Sequence, residues 1–559
     1  MQSRVASFDA QSAASRASSW WHWVLSVAIL PATLTVALPD WVYSTPGTID
    51  AWVYQGFFRH LESYSSAMFP GTYYGSRLGW IVPGYVAYHV FPAWLATIIL
   101  HLTFYLIAVC SLYVIVRRAA GSSNALFTAL AFGLYVPAVR SIGSDYVDGA
   151  VIAYALLAVA LGVYGIETSR RWPIFSSGLA VGAMLNSNVG AALLLPSIAV
   201  WLVPLQRSEW LAEPLRHRAA LWCAGVAVCT MTLSFISVMT GGTWDFFLQS
   251  FRWLAAMRLS NPWDVPGLAW VAISPWVFLP LATAISIVVC WFRWPEDHTD
   301  PGRIRAISSL ALVVMIFAIW DFVGSGSLLA FPYYASWLVP WTFIAIGVVL
   351  IPPLSKLGLD AAVLLLTALI VASSLRLFVH LPGFGWAAFW LTIGVVVSAA
   401  LARHTVASRI LIAVIVACLN GWMASTGLYA LVPDRADGFD AIDRSVKVID
   451  RYLSVSQPRF LLASPNKLNS YVTGLTSVYL WGYTIASDRY PTVTAAQAAL
   501  IVPGTTVVVI AEYADAAESF DDVFAPFGLR GVRKGSERIE TQYGFLYLTF
   551  LEARARAVS

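Results

Sequence analysis

Charged residues make up only 11% of this 559-residue chain, so places where acids, arginines and aromatics gather stand out. GTIDAWVYQGFFRH (47–60) sets Asp50, Arg59 and His60 among Trp52, Tyr54 and two phenylalanines. The same stretch, 39–91, continues to Tyr73–Tyr74, Arg77 and Trp80. RSIGSDYVDGA (140–150) brings together Arg140, Asp145 and Asp148, and 241–267 adds Asp245, Arg252, Arg258 and Asp264. Asp321 closes one apolar run, and FPYYASWLVP, with Tyr333 and Tyr334, opens the next. A carboxylate can take a proton from a hydroxyl, and arginine's planar fork can grip phosphate oxygens with two bonds. Zinc chemistry is not suggested. The cysteines at 110, 223, 229, 290 and 418 form no CxxC and no Cys/His pattern, while His60, His89 and His101 are scattered. A divalent metal has no support in the sequence.

The elements that must position these residues are membrane helices. Hydrophobic residues are 59% of the chain and mean hydropathy is +0.71, a surface no soluble protein of this length could cover with polar groups. Runs of about 17–25 apolar residues match a bilayer's thickness, and long uninterrupted runs favour helices over a barrel. About thirteen spans are expected, near 20–38, 92–116, 123–139, 149–166, 173–187, 189–204, 219–240, 269–292, 306–322, 333–351, 359–377, 384–402 and 410–430. With the N-terminus cytoplasmic, cytoplasmic segments hold about fifteen basic residues, from Arg4 to Arg409, against about six outside, which satisfies the positive-inside rule. No cleavage site follows the first span, so it is expected to be retained.

The chain therefore divides into a membrane domain, 1–431, and a C-terminal segment, 432–559, outside the cytoplasm. In the latter, β-type runs at 459–464, 505–513 and 544–553 alternate with helical patterns at 439–453 and 514–524, predicting a small soluble α/β domain. The first outward loop, 39–91, has helical spacing that predicts amphipathic helices lying in the membrane interface.

Each polar residue also has a plain explanation. Asp50 could cap a helix after Thr48, Asp148 could cap its span, and Asp145 could pair with Arg140. Arg77 could reach to lipid headgroups. Asp245 and Asp264 fit turn chemistry. Tryptophans and the Tyr333–Tyr334 pair suit membrane-interface belts.

In order along the chain, the motifs resemble those of GT-C-fold glycosyltransferases of the protein-mannosyltransferase and aminoarabinose-transferase kind (glycosyltransferase family 39 and relatives). The first outward loop resembles the family's acidic loop, with Asp50 at the position of its essential aspartate. Tyr73–Tyr74 followed by Arg77 and Trp80 is similar to its Tyr-Phe/basic/Tyr-Trp segment. Asp148 in DGAVIAYALLAVALG resembles the acidic opening of its fourth helix. GLAVGAMLNSNVGAALLLP is similar to its helix hairpin, and YYASWLVPWTFIAIG to its R-Y-x-x-P-x-x-P-x-x-A segment. The chain departs at Ala51, where many relatives have Glu after the Asp, at Ser76–Gly79 in place of Lys-Pro-Pro, and at Asn186–Asn188, which replace the hairpin's Lys.

The resemblance implies a polytopic GT-C-like enzyme of the cytoplasmic membrane that transfers a sugar, with inversion, from a polyprenyl-phosphate donor to a glycan, glycolipid or protein acceptor. No nucleic-acid partner is implied. Asp50 would be the general base and Asp148 a second catalytic carboxylate. Arg77, Arg140 and Arg258 would hold the donor phosphate. Asp145, Trp52, Tyr74, Trp80, Tyr333 and Tyr334 would line the substrate pocket, with Trp337 a further candidate to stack on a sugar. Three other classes compete. A lipid-linked-oligosaccharide ligase or polymerase usually places its large loop late in the chain. A transporter or flippase predicts ionisable residues near mid-span. A non-enzymatic scaffold leaves the loop acids unexplained.

Overall fold

The computed structural model describes residues 24–37, 49–144, 146–203, 213–259, 300–323, 328–329, 332–350, 435–453, 460–463, 469–479, 483–485, 501–511, 528–541 and 544–556, with scattered positions at 280–288. The apolar runs fold into α1 (Leu30–Ala37), α2 (Ile49–Arg59), α3 (Leu78–Val90), α4 (Ala93–Ala120), α5 (Ser122–Leu134), α6 (Val136–Ile142), α7 (Val147–Thr168), α8 (Arg171–Leu185), α9 (Leu195–Leu202), α10 (Glu213–Met239), α11 (Phe247–Leu259), α12 (Pro301–Phe322) and α13 (Val339–Ala345). Among the described residues, four helices are long and apolar enough to cross a membrane: Ala93–Ala120, Val147–Thr168, Leu215–Met239 and Pro301–Phe322. At 1.5 Å per residue, 22 residues rise about 33 Å, close to the hydrocarbon thickness. The spans expected at 359–377, 384–402 and 410–430, and most of 269–292, lie outside the described residues.

The run expected as one span over 123–139 is divided. α5 ends where Tyr135 turns extended (φ −73°, ψ 108°), and α6 restarts with Pro137 in its first turn. Proline lacks the N–H that an unbroken helix would use, and it is tolerated where a helix begins.

The first loop also differs from expectation. Instead of an amphipathic helix with one wet face, α2 is buried at every position from Ala51 to Phe58. On one side Phe58 packs on Trp80, their ring centroids 5.4 Å apart. A Cβ on Gly84 would lie 2.3 Å from the Phe58 ring, so that glycine permits the close approach of α3. On the other side lie helices from the C-terminal region. Helical spacing was legible in the sequence, but two protein surfaces, rather than lipid and water, cover the helix.

The C-terminal region contributes α14 (Arg435–Tyr452), β1 (Phe460–Ala463), α15 (Asn469–Tyr479), β2 (Tyr483–Ile485), β3 (Thr506–Ala511), β4 (Leu529–Thr541) and β5 (Gly544–Ala555). The sheet order is β2-β1-β3-β5-β4. β1 runs parallel to β2 and β3, with Leu461 beside Tyr483 and Val508; β5 is antiparallel to β3 and β4. α15 is the crossover that a parallel β1–β2 pair requires. β3 is buried along its length because both faces are covered. Val508 and Ile510 join a cluster with α14 and α15, and Val507 and Val509 join one with Leu529, Leu551 and Ala553.

Candidate active site

Four separate segments deliver side chains to one place. α2 carries Asp50 in its first turn and Tyr54 one turn later, on the same face. The turn ahead of α3 supplies Tyr73, Tyr74 and Arg77. It is held tight by Arg77 N–H to the Tyr74 carbonyl (3.1 Å) and Ser76 N–H to the Tyr73 carbonyl (3.3 Å). The start of α7 supplies Tyr146, its N-cap, and Asp148. Tyr333, Tyr334 and Trp337 come from the short helical turns Pro332–Ala335 and Ser336–Leu338 before α13.

Both oxygens of the Asp50 carboxylate are engaged. Tyr74 donates its hydroxyl to Oδ1 at 2.5 Å, and Tyr146 donates to Oδ2 at 2.9 Å. Burial, reinforced by the Asp50 charge, raises the Tyr74 hydroxyl far above the ordinary phenol range, so it remains a donor. An ionised carboxylate offers about four lone-pair sites, which leaves Asp50 able to accept from a substrate hydroxyl as well.

Arg77 is 3% exposed. It donates to the Tyr54 hydroxyl, and its guanidinium carbon lies 4.9 Å from the ring centroid of Tyr73, 5.7 Å from Tyr54 and 5.8 Å from Tyr146. Aromatic faces attract a cation. Among the described residues, however, no carboxylate forms an ion pair with it. Desolvating a charge without a counter-ion is costly. Arg77 is therefore a buried cation with capacity left for an anion.

Asp148 is fully buried. Trp337 donates its indole N–H to Oδ1 at 2.7 Å, and Oδ2 has no partner among the described residues. Aromatic contacts tie this carboxylate to the Asp50 group: Tyr146 to Tyr333 at 5.2 Å, Tyr333 to Tyr334 at 4.6 Å, and Tyr334 to Trp337 at 5.3 Å between centroids. The hairpin at 186–194 backs the arrangement. Gly79 N–H donates to the Asn186 carbonyl at 2.9 Å, and the Asn188 side chain caps the following turn through Gly190 N–H at 3.0 Å.

Of the residues singled out from the sequence, Asp50, Tyr74, Arg77, Asp148, Tyr333 and Tyr334 come together. Trp52 and Trp80 do not join them. Trp52 turns to the C-terminal cluster. Trp80 packs between Phe58, Phe104 and His101, which it stacks at 6.2 Å. Both are large apolar side chains with protein on their exposed flank, which interface spacing alone cannot reveal. Arg140 sits half-buried on α6. Only the backbone of Arg258, in α11, is described; Asp145 and Asp264 lie outside the described residues. Asp321 has a structural task, accepting from the backbone N–H of Leu328 (2.8 Å) and Leu329 (2.6 Å). No group of three potential metal ligands occurs among the described residues. Sequence reasoning passed over Tyr54 and Tyr146. The i,i+4 spacing from Asp50 to Tyr54 and the place of Tyr146 two residues before Asp148 were the available signals.

A family model described as dolichyl-phosphate-mannose-protein mannosyltransferase matches residues 91–235. That range includes Tyr146 and Asp148 but not Asp50, Arg77 or Trp337. The crystal structure of ArnT from Cupriavidus metallidurans bound to undecaprenyl phosphate superposes with a TM-score of 0.54 at 15% identity, covering 95% of this chain and 98% of that one. The apo ArnT structure gives 0.48 at 17% identity (96% and 98% covered). The apo oligosaccharyltransferase of Archaeoglobus fulgidus gives 0.42 at 13% identity (82% and 64% covered). No curated protein matches in sequence. The chain has the GT-C fold of ArnT, and the resemblance read from its motifs is borne out at that level.

Proposed function

We propose that this chain is a membrane glycosyltransferase that moves a sugar from a polyprenyl-phosphate donor to an acceptor hydroxyl. The observation that carries the reading is Arg77: a buried arginine that forms no ion pair with a carboxylate among the described residues, and that lies against the ring of Tyr146, one of the two tyrosines that hold the Asp50 carboxylate. A phosphate would supply the missing counter-charge, and undecaprenyl phosphate, present in the ArnT structure, is a ligand of that class.

In the reaction, the acceptor oxygen attacks the anomeric carbon as the bond from that carbon to the phosphate oxygen breaks, with inversion. Asp50 takes the acceptor's proton. Arg77 holds the charge that grows on the departing polyprenyl phosphate, in surroundings from which water is largely excluded. Tyr74 and Tyr146 fix both oxygens of the base. Asp148, anchored through Trp337, presents its second oxygen to a sugar hydroxyl, and Tyr333 and Tyr334 form an aromatic wall. The lipid tail stays in the bilayer, and the excess of basic residues in alternate connecting segments supports a site on the outer face of the cytoplasmic membrane, with the N-terminus inside and the C-terminal sheet outside.

Profiling lipids and glycans of a strain lacking this protein tests the reading. It expects one accumulated polyprenyl-phosphate sugar and one under-glycosylated product, both restored by the native chain and not by Asp50→Asn. Full restoration by Asp50→Asn would refute the base assignment, and an unchanged profile would refute the donor class.

A further inference from the structure

The helix that carries Asp50 is held from its far side by the C-terminal region. Successive helical residues are offset by about 100°, so Trp52 points roughly opposite Asp50 and Tyr54. Trp52 is 4% exposed and lies in a cluster whose other described members run from Ala441 on α14, through Tyr471 and Leu475 on α15, to Phe550 on β5. A Cβ on Gly474 would come within 3.1 Å of the Trp52 ring and 2.8 Å of Ile442, so glycine allows α15 to close on the indole. The contact continues along the helix, where Arg59 donates to Ser477 Oγ at 3.3 Å and His60 Nε2 lies 3.4 Å from the Val478 carbonyl.

We propose that Trp52 is a positioning residue, through which the C-terminal α/β region sets the placement of Asp50 against Tyr74 and Tyr146. This rests on the reading of Asp50 as the base. α2 begins at Ile49, so Asp50 stands at a helix end, where one turn of backbone would otherwise be free to fray. Trp52 lies within that turn and is anchored by packing from α14 and α15. Displacing a catalytic group by about 1 Å can cost on the order of 100-fold in rate, whereas Arg77 is carried on a different segment and, besides its bond to Tyr54 on α2, lies against Tyr73 and Tyr146, which are not on that helix, so donor binding is expected to depend on the anchor much less than the rate does.

The test uses the full-length protein in lipid nanodiscs. Farnesyl phosphate serves as the binding probe, and transfer is measured with the donor and acceptor found by profiling. Trp52→Ala is expected to lower kcat by about 10- to 100-fold with farnesyl phosphate affinity within about 2-fold of native, and Trp52→Phe to recover most of the rate. Gly474→Ala, which pushes on the same ring from the other side, is expected to act in the same direction and answers the question if Trp52→Ala is not recovered folded. Native kcat in the folded variant overturns the proposal. So does a loss in which affinity and rate fall together in proportion to the folded fraction. If Asp50→Asn itself transfers at the native rate, the failure belongs to the base assignment and not to the anchor.

Discussion

Tyr146 donates its hydroxyl to Asp50 Oδ2 at 2.9 Å, joining the first turn of one helix to the N-cap of another almost a hundred positions away in the chain. The same ring stands over the guanidinium of Arg77. One tyrosine thus touches both the acid and the cation that the proposed reaction uses.

Removing that hydroxyl separates its two roles. Tyr146→Phe keeps the ring against Arg77 and loses the bond to Asp50, and a hydrogen bond to a charged group is worth about 1.5–3 kcal/mol. Transfer is expected to fall roughly 10-fold or more. Because Tyr74 holds the other oxygen, the Tyr74→Phe/Tyr146→Phe pair should be non-additive. Additive losses in kcat would show that the two hydroxyls act independently.

Arg77 predicts a conflict between stability and function. Burying a charge carries a desolvation cost, and among the described residues no ion pair offsets that cost at Arg77. Arg77→Met is therefore expected to raise the unfolding temperature of the ligand-free protein while abolishing polyprenyl-phosphate binding. Arg77→Lys keeps the charge but not the fork, and should bind more weakly than native. A lowered unfolding temperature in Arg77→Met would mean that the arginine is structurally satisfied.

Gly79 marks a close approach next to that arginine. A Cβ there would meet the Ala183 carbonyl oxygen, on α8, at 2.2 Å and Ser187 Oγ, in the hairpin that backs the site, at 2.6 Å. Glycine to alanine within a helix ordinarily stabilises by up to about 1 kcal/mol. Here the backbone oxygen cannot yield easily, and Gly79→Ala is expected to destabilise by about 1–3 kcal/mol instead. Thermal unfolding in nanodiscs reads the sign.

His60 supplies a pH dependence. Burial, with the neighbouring Arg59 charge, holds its imidazole below the usual 6.5. A depressed folded-state value means the unfolded chain binds more protons as pH falls. The contribution is therefore present above about pH 6.5 and is lost as pH drops through the folded value. Unfolding temperature should decline below pH 6.5 in the native protein and decline less in His60→Gln. Identical pH profiles for the two would remove His60 from the account.

The amino-acid sequence by itself determined that this is a chain of apolar helices, because span length and hydropathy are local properties of consecutive residues. It also marked Asp50, Arg77 and Asp148, since ionisable side chains in so apolar a chain are conspicuous. The helix over 49–59 was legible from spacing, yet the sequence assigned its outer face to lipid and water. Only the tertiary structure decided that Trp52 faces the C-terminal cluster while Asp50 faces Tyr74 and Tyr146. Tyr146 was invisible as a partner of Asp50 because nothing in a linear pattern reports which of many tyrosines will meet a given acid. Likewise Trp337 reaches Asp148 across 189 positions. Periodicity fixes which face of a helix a residue occupies, and what stands opposite that face is settled only by packing among segments distant in the chain.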